Sequence, residues 1–302
     1  MNIISSLVSR FRGAASPQAS GTKFAVVVLS PQGYVHSAAF SEVAETLHSG
    51  MRALGIDCEL IYGAPPAGRR PIILGSNLLP AFSCEIPQDS ILYNLEQAFQ
   101  GKDTWTTPAL LQILKNYTVW DYSGLNASNL KKLGVPVAAV VPVGYAPELT
   151  RIDLSGLKDI DVLFFGSMND RRRKVLKSMQ DRGLNVVALF GVYGRDRDAY
   201  IARARLVVNL HFYDAMVLET VRISYLLANG IPVLSEASSS PEEDRAFSDG
   251  VAFSSYEDLA ETAARLVGDP LKLQELSTGG LALMRSRPVT HFLQPALAAL
   301  SA

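Results

Sequence analysis

The chain has 302 residues, of which 48% are hydrophobic and 19% are charged, and its formal net charge is −1. This composition excludes an intrinsically disordered protein, and the near-zero net charge excludes a general electrostatic attraction to nucleic acid. The length suits two domains of about 150 residues each. Because Cys58 and Cys84 form neither a CxxC motif nor a disulfide framework, we expect a cytoplasmic protein without a structural metal.

The first predicted element is a flexible N-terminal segment, residues 1–21. Its apolar positions would share one helical face beside two arginines, an arrangement that fits peripheral contact with the inner face of a membrane. A frayed terminus followed by a Ser/Ala/Gln/Gly linker explains the same residues. The apolar run is too short for a secretory signal or a membrane span. The apolar positions are Ile3, Ile4, Leu7, Val8 and Phe11.

Residues 22–147 alternate short apolar runs with helical patterns. KFAVVVLS is a continuous, β-branched run that is typical of a strand covered on both faces, and helical spacing follows it from Phe40 to Leu54. NASNLKKLG predicts a helix that ends at Gly134. The pattern predicts an open parallel α/β domain. Its other predicted strands are DCELIYG, RPIILGS, DSILYNLE, YTVWDYS and VPVAAVVPVGY.

After a predicted linker at residues 148–155, the pattern restarts as a second parallel domain at residues 156–280. The predicted strands are DVLFFGS, LNVVALFG, RLVVNLHF, IPVLSE and GVAFSS, and four helical patterns lie between or after them. The tail, residues 281–302, is apolar enough to pack back toward the first domain, although Pro295 weakens a helix there. The sequence therefore predicts two tandem Rossmann-like domains with a ligand cleft at the carboxyl ends of their strands.

The stretch FFGSMNDRRRKVL places strong positive charge where a strand gives way to a helix. Gly166 and Ser167 form the turn, and the helix then begins with three arginines. Cations at a helix N-terminus oppose the macrodipole, whereas a phosphate there is bound by free N–H groups and by arginine. Alternatively, the arginines face water or pair with acids such as Asp170. The arginines are Arg171, Arg172 and Arg173, and the pattern does not choose among them.

A second informative stretch is NLHFYDAMVLETVRISYLLANGIPVLSE. It predicts a strand, a loop and a helix that opens near Glu219, where a negative charge is favourable. Glu219 is either a helix-start carboxylate or an acceptor of hydrogen bonds from a ligand hydroxyl. Arg222 lies one turn further and could pair with Glu219. The chain has neither GxGxxG nor GxxxxGK[ST], which argues against a Rossmann dehydrogenase and a P-loop NTPase.

These two stretches resemble the donor domain of GT-B-type glycosyltransferases, and within that class the CgeB-like and related group-1 bacterial transferases. VLFFGSMNDRRRKVL is similar to the first strand, loop and helix of that domain, and HFYDAMVLETVRISYLLANGIPVLSE is similar to its donor-site segment. ILYNLEQ and VWDYSGLNASNLKKLG resemble parts of the acceptor domain. The resemblance extends from Lys23 to Val267.

The resemblance implies a glycosyltransferase of glycan biosynthesis that needs no metal or other cofactor. It would move a sugar from a nucleotide-sugar donor to a glycan, lipid-linked or protein acceptor. The diphosphate would lie against the Gly166–Ser167 turn and one arginine, and Glu219 would hold the ribose. The nucleobase would lie at Gly191, Val192 and Tyr193.

One position departs from the family pattern. Many retaining members carry two glutamates separated by seven residues; the second falls on Glu219, but His211 occupies the first position. This leaves the stereochemical outcome open. His211 could contact the sugar or a phosphate, or it could be a hydrogen-bonded loop histidine. A literal DxD at Asp196–Asp198 lies where a helix begins, so we do not expect it to bind a metal.

Several residues of the first domain follow strands and are therefore candidates for the acceptor side. His36 is a candidate catalytic base because imidazole titrates near working pH, and Glu96 is a candidate base or acceptor ligand. Tyr34 and Asp121 would face the cleft, and Tyr145 would lie at the junction of the domains. The simpler alternatives are a surface histidine for His36 and a turn cap for Asp121.

Three other functions fit the same pattern. A nucleotide-sugar epimerase or hydrolase of the GT-B fold would use the donor site without an acceptor. A two-domain protein that binds a small molecule would need no catalytic residues at all. A transferase-like partner subunit without activity is a further alternative. The donor's sugar and base, the acceptor and the oligomeric state are not defined by the sequence.

Overall fold

The computed structural model describes residues 21–81, 85–101 and 104–300. The predicted N-terminal segment therefore lies outside the described residues except for Gly21, and Cys84 lies outside them as well. The first domain contains a parallel sheet of six strands: β1 (Phe24–Val28), β2 (Cys58–Tyr62), β3 (Arg70–Leu74), β4 (Ile91–Asn94), β5 (Thr118–Asp121) and β6 (Ala139–Val140). The order across this sheet is β2-β1-β3-β4-β5-β6.

The second domain contains a parallel sheet of five strands: β7 (Ile160–Phe165), β8 (Val186–Leu189), β9 (Ala204–Asn209), β10 (Val233–Glu236) and β11 (Val251–Ser254). Their order is β11-β10-β9-β7-β8. In each sheet the strand order switches direction beside the first strand. In the first sheet β2 lies on one side of β1 and β3 on the other, and in the second sheet β8 lies on one side of β7 and β9 on the other. Such switch points open a crevice for ligands at the carboxyl ends of the strands. The prediction of two parallel α/β domains is confirmed.

Ten α-helices are described, and in this part of the chain none is both long and apolar enough to cross a membrane. The sequence analysis did not predict α2, α7 and α9, although each begins with a proline after a Thr, Ser or Asp cap. The helices are α1 (Ser41–Ala53), α2 (Pro108–Leu114), α3 (Gly124–Lys132), α4 (Asp170–Asp181), α5 (Gly194–Arg203), α6 (Thr220–Ala228), α7 (Pro241–Arg245), α8 (Leu259–Val267), α9 (Pro270–Arg285) and α10 (Val289–Ala298).

The central strands β1, β3 and β4 of the first sheet are buried on both faces, which explains their continuous apolar sequences, whereas the edge strand β2 is partly exposed. Val26, Val28 and Trp120 point into a core shared with α1 and α10. Val27 and Leu92 point to the opposite face, where they pack against residues of α2 and α3. The second sheet is likewise covered on both faces. Two well-packed sheets can therefore hold the loops at their carboxyl ends in fixed positions.

The tail of the chain returns to the first domain. Helix α10 packs against α1, where a Cβ at Gly50 would lie only 2.6 Å from Leu293 Cδ1 and 2.7 Å from Val289 Cγ1. Close beside this contact, the Tyr145 N–H donates to Arg287 O at 2.8 Å, and the Val289 N–H donates to Tyr145 O at 3.0 Å. The chain thus crosses between the domains twice at one place, and Pro295 lies inside α10.

Candidate functional site

The carboxyl ends of both sheets face a shared cavity of about 750 Å³. The first domain contributes the loop after β4 (residues 95–97) and Tyr122, which follows β5. The second domain contributes the turn after β7 (residues 166–167), the loop after β8 (residues 189–193) and the start of α6. The cavity therefore lies where the topology of both sheets predicts a ligand.

Arg172 is the arginine of the basic stretch that lines this cavity. It is only 3% exposed, and its Nη1 donates to Ser167 O at 2.7 Å while its Nη2 donates to Leu210 O. The guanidinium lies 5.2 Å from the ring of Phe164 and 5.1 Å from that of Phe212. Burial, reinforced by the nearby charge of Arg222, lowers the pKa of Arg172 to about 9. This buried cation would be stabilised by an anion in the cavity.

Arg222 brings a second cation to the same turn. Gly166 has a φ of +138°, and a Cβ there would lie 2.9 Å from Arg222 Nη2 and 3.6 Å from Arg172 Nη1. Burial lowers the pKa of Arg222 despite the nearby carboxylate of Glu219. Two guanidinium groups therefore converge beside a glycine turn at the N-terminal end of α4, which is the chemistry that binds phosphate groups.

The other two arginines of the stretch point elsewhere. Arg171 forms an ion pair with Glu236, which is 1% exposed, and stacks on the Tyr256 ring at 4.0 Å. Arg173 has a side chain that is 63% exposed and pairs with Asp170 on the surface. The sequence hypothesis expected one of the three at a donor phosphate and did not choose among them. Of the three, Arg172 alone lines the cavity, because successive helical residues point about 100° apart.

Glu219 caps the start of α6 and is held by side chains from both domains. Asn209 Nδ2 donates to its Oε2 at 2.8 Å, His211 Nδ1 lies 3.0 Å from the same oxygen, and Gln97 of the first domain reaches Oε1 at 3.5 Å. Burial would raise the pKa of Glu219, but His211 and Arg222 together lower it. Asn209 bridges Glu219 and Arg222, which the sequence analysis expected to pair directly: its Oδ1 accepts from Arg222 Nη1 at 2.6 Å.

His211 lies behind Glu219 and is 1% exposed. Its Nδ1 faces Glu219, and its Nε2 lies 3.2 Å from Ala237 O. Because both ring nitrogens already face protein oxygens, neither is available to a ligand. The hypothesis that His211 contacts a sugar or phosphate is therefore wrong for this structure.

Glu96 lines the cavity from the first domain, immediately after β4. Its backbone oxygen accepts from Asn94 Nδ2 and from Asn126 Nδ2, each at 2.9 Å, which fixes the loop. Its carboxylate makes no hydrogen bond to any residue that the structure describes. Burial raises the pKa of Glu96 to about 7. A carboxylate in this state can exchange a proton near neutral pH.

The structure does not bring Asp121 or Tyr145 to the cavity. Asp121 is fully buried and accepts from Asn94 Nδ2 and Asn126 Nδ2, each at 2.8 Å, and from the Ser123 N–H at 3.0 Å. It therefore acts as a turn cap that supports the loop of Glu96. The Tyr145 hydroxyl contacts Thr150 Oγ1 at 2.9 Å, beside the crossing between the domains.

His36 and Tyr34 lie at the rim, where the first domain meets the loop after β8. His36 Nδ1 lies 2.7 Å from the Tyr193 hydroxyl, and its ring lies 5.3 Å from that of Phe190 and 5.4 Å from that of Tyr34. Gly191 and Val192 line the cavity in the same loop. His36 is therefore placed beside the predicted nucleobase region.

The sequence analysis missed Gln97 and Asn209. Asn209 is the last residue of β9, and Gln97 lies in the loop after β4, so their positions at the carboxyl ends of strands were the available signal. Gln97 also donates to Val217 O at 2.9 Å across the domain boundary, a contact that local sequence does not indicate. Asp198 of the DxD accepts from Arg197 at 2.8 Å and from the Tyr225 hydroxyl at 2.7 Å.

No family model matches the chain. Among curated relatives, the uncharacterized protein L138 of Acanthamoeba polyphaga mimivirus is 34% identical over 116 residues, which cover 36% of this chain and 13% of the relative. The uncharacterized protein L140 of the same virus is 26% identical over 192 residues, covering 60% of each. The chain thus spans less than two thirds of the length of these relatives.

Solved structures with similar folds are glycosyltransferases. HepE of Anabaena, in complex with UDP-glucose, has a TM-score of 0.61 at 13% identity, covering 92% of this chain and 99% of that one. WaaG, a glycosyltransferase involved in lipopolysaccharide biosynthesis, has a TM-score of 0.57 at 12% identity, covering 92% and 100%. Sucrose-phosphate synthase from Thermosynechococcus elongatus has a TM-score of 0.56 at 12% identity, covering 93% and 97%. The matches confirm the predicted GT-B-like fold, and the CgeB-like subfamily stays a prediction.

Proposed function

We propose that this chain is a glycosyltransferase that moves a sugar from a nucleotide-sugar donor to a hydroxyl group of a glycan, lipid-linked or protein acceptor. The observation that carries the proposal is the convergence of Arg172 and Arg222 on the Gly166–Ser167 turn, in the same cavity as Glu219 and Glu96. Complexes of the similarly folded HepE with UDP and with UDP-glucose support it by analogy.

The proposed donor binds through its diphosphate. Arg172 and Arg222 supply two cations at a site where burial lowers the pKa of each, so an anion would relieve the cost of both charges. The N-terminal end of α4 adds the partial positive charge of its free N–H groups. Together these groups would stabilise the diphosphate as it leaves, and the proposal assigns no role to a metal.

The remainder of the donor would extend across the second domain. Glu219 is ionised and faces the cavity, so it can accept hydrogen bonds from the ribose hydroxyls. The loop after β8 would hold the nucleobase, with Tyr193 and Phe190 as aromatic neighbours. His36 would support this loop from the first domain through its contact with the Tyr193 hydroxyl.

Glu96 is the proposed base on the acceptor side. The acceptor oxygen forms a bond to the anomeric carbon, the bond from that carbon to the diphosphate oxygen breaks, and the acceptor proton passes to the Glu96 carboxylate. A pKa of about 7 suits this role, because the group is substantially deprotonated near neutral pH and still basic enough to take a proton.

A melting-temperature screen with UDP-, GDP-, CMP- and TDP-sugars tests the proposal. A donor that is present at 100 times its Kd and binds only the folded state stabilises it by about 2.7 kcal/mol, which corresponds to a shift of about 5 °C for a chain of this size. We expect one nucleotide series to give such a shift.

Two neighbouring arginines provide a matched pair for this screen. Arg172→Lys should abolish most of the shift, because the single ammonium group of lysine cannot replace a guanidinium that donates to Ser167 O and Leu210 O and also faces the phosphates. Arg173→Lys, at an exposed position, should keep the full shift. No shift with any donor, or equal loss in the two variants, would contradict the proposal. Release of free sugar even with acceptors present would instead favour a hydrolase.

A further inference from the structure

The charge state of His211 follows from its two hydrogen-bonding contacts. Nδ1 lies 3.0 and 3.2 Å from the oxygens of Glu219, and Nε2 lies 3.2 Å from Ala237 O. A carboxylate and a carbonyl oxygen are both acceptors, whereas a neutral imidazole has only one N–H. One contact would then set a nitrogen lone pair against an oxygen. Both contacts are hydrogen bonds only when the ring is doubly protonated.

The charges around His211 favour the same state. Glu219 faces the ring from the start of α6, and Glu236 at the end of β10 accepts from the backbone N–H of His211 at 3.1 Å. From α4, Arg171 is paired with Glu236, and Arg172 donates to the neighbouring Leu210 O. The charge of Glu236 is balanced by Arg171. Arg222 on α6 is near Glu219 but donates to Asn209, so His211 is the charged group in direct contact with Glu219.

The direction of the pKa agrees with the geometry. Burial alone would lower the pKa of His211, but Glu219, Glu236 and the Ala237 carbonyl together raise it above the ordinary value of 6.5. The stabilisation from the pair is therefore fully present below pH 6.5 and is lost as the pH rises through the raised pKa.

We propose that His211 is a buried imidazolium that keeps Glu219 ionised and fixes its orientation toward the cavity. It is a positioning residue, since Glu219 stands between it and any ligand. Its protonated ring occupies the position where the resembled family carries a glutamate, and it reverses the charge there. When the ring loses its proton, Glu219 loses its charged hydrogen bond and is held only by the neutral donors Asn209 and Gln97.

The consequence for ligand binding rests on the proposed function. If Glu219 binds the ribose, the affinity for a nucleoside diphosphate should be greatest while His211 is charged. Loss of that charge should weaken binding by about 10-fold, the scale of one charged hydrogen bond. The charge state itself does not depend on the proposed function.

Nuclear magnetic resonance of the ¹⁵N-labelled histidine rings tests the charge state on the unmodified chain without ligand. His211→Gln identifies the His211 signals, and the exposed His291→Gln serves as a control that should leave them in place. We expect both His211 nitrogens to carry protons at pH 7. One protonated and one bare nitrogen at pH 7 would overturn the proposal.

Calorimetry with UDP, GDP and TDP supplies the second readout. For the nucleotide that binds best, His211→Gln should weaken binding about 10-fold at pH 7, and the ratio of the two Kd values should approach 1 once wild-type His211 has lost its proton. Titration of Arg172 affects both proteins and cancels in this ratio. A ratio that stays constant with pH would mark His211 as merely structural. Failure of all three nucleotides to bind wild type would defeat the proposed function and leave the resonance result standing.

Discussion

Two glutamates of the cavity, Glu219 and Glu96, lie in opposite surroundings although both side chains are half-buried. Glu219 contacts Asn209 and His211, and with Arg222 nearby its pKa falls below the ordinary value despite burial. The Glu96 carboxylate has no hydrogen-bond partner in the described ranges, and burial raises its pKa to about 7. Environments that separate two pKa values in one site assign different tasks: one carboxylate stays charged and binds, and the other exchanges a proton.

Asparagine side chains produce this difference in two ways. Asn94 and Asn126 donate to the backbone oxygen of Glu96 and to Asp121, so they fix the loop and leave the Glu96 carboxylate unbound. Asn209 instead donates directly to the carboxylate of Glu219. The same residue type therefore holds a backbone on one side of the cavity and a charge on the other.

The largest expected effect comes from removing the charge of Glu96. Glu96→Gln keeps the shape but cannot take a proton, so the release of nucleoside diphosphate from a nucleotide sugar, with water as the acceptor, should fall by about 10²- to 10⁴-fold. The Kd of the nucleoside diphosphate should stay within about twofold. Glu257→Gln, at an exposed position, is the control. An unchanged rate would remove Glu96 from the reaction.

Glu219→Gln should produce the reverse pattern. Loss of a charged acceptor should weaken nucleoside diphosphate binding by about 10- to 100-fold, measured by calorimetry. The rate at saturating donor should fall less than it does in Glu96→Gln. If Glu219→Gln lowered the rate and left the affinity intact, the assignment of the two glutamates would be reversed.

The effect of pH on the two glutamates should be smaller but equally distinct. Because Glu96 works as a base only when deprotonated, the rate at saturating donor should rise as the pH passes through about 7. The raised pKa also means that stability is lost as the pH rises through that value, so Glu96→Gln should melt above wild type at pH 8 and close to it at pH 5. A rate that is flat between pH 6 and 8, with equal melting temperatures at pH 8, would contradict the environment described for Glu96.

Much of the fold follows from sequence because its central strands are buried on both faces. A run such as KFAVVVLS has no polar alternation, which indicates a central parallel strand, and the structure places it at β1. The helices α2, α7 and α9 were missed because their apolar periodicity is weak and their evidence lies in the caps Thr107, Ser240 and Asp269. Capping residues deserve the same weight as periodicity when a helix is short.

The sequence identified those site residues that lie directly after a predicted strand or at the start of a predicted helix. Glu96 was identified after a strand, and Glu219 was identified at the predicted start of a helix. The choice of Arg172 depends on how α4 is rotated about its own axis, which sequence does not define. The contact of Gln97 with Val217 joins residues 120 positions apart, so local pattern does not contain it. The role of His211 likewise depends on a carbonyl oxygen at Ala237 that only the folded chain brings near.

The central claim is that Arg172, Arg222 and Glu219 bind one nucleoside diphosphate. A crystal structure of the chain with a nucleoside diphosphate tests it most directly. We predict phosphate oxygens within about 3 Å of both guanidinium groups beside Gly166, and a ribose hydroxyl donating to Glu219. A nucleotide bound elsewhere, or one whose phosphates contact Arg171 or Arg173 and not Arg172, would contradict the account.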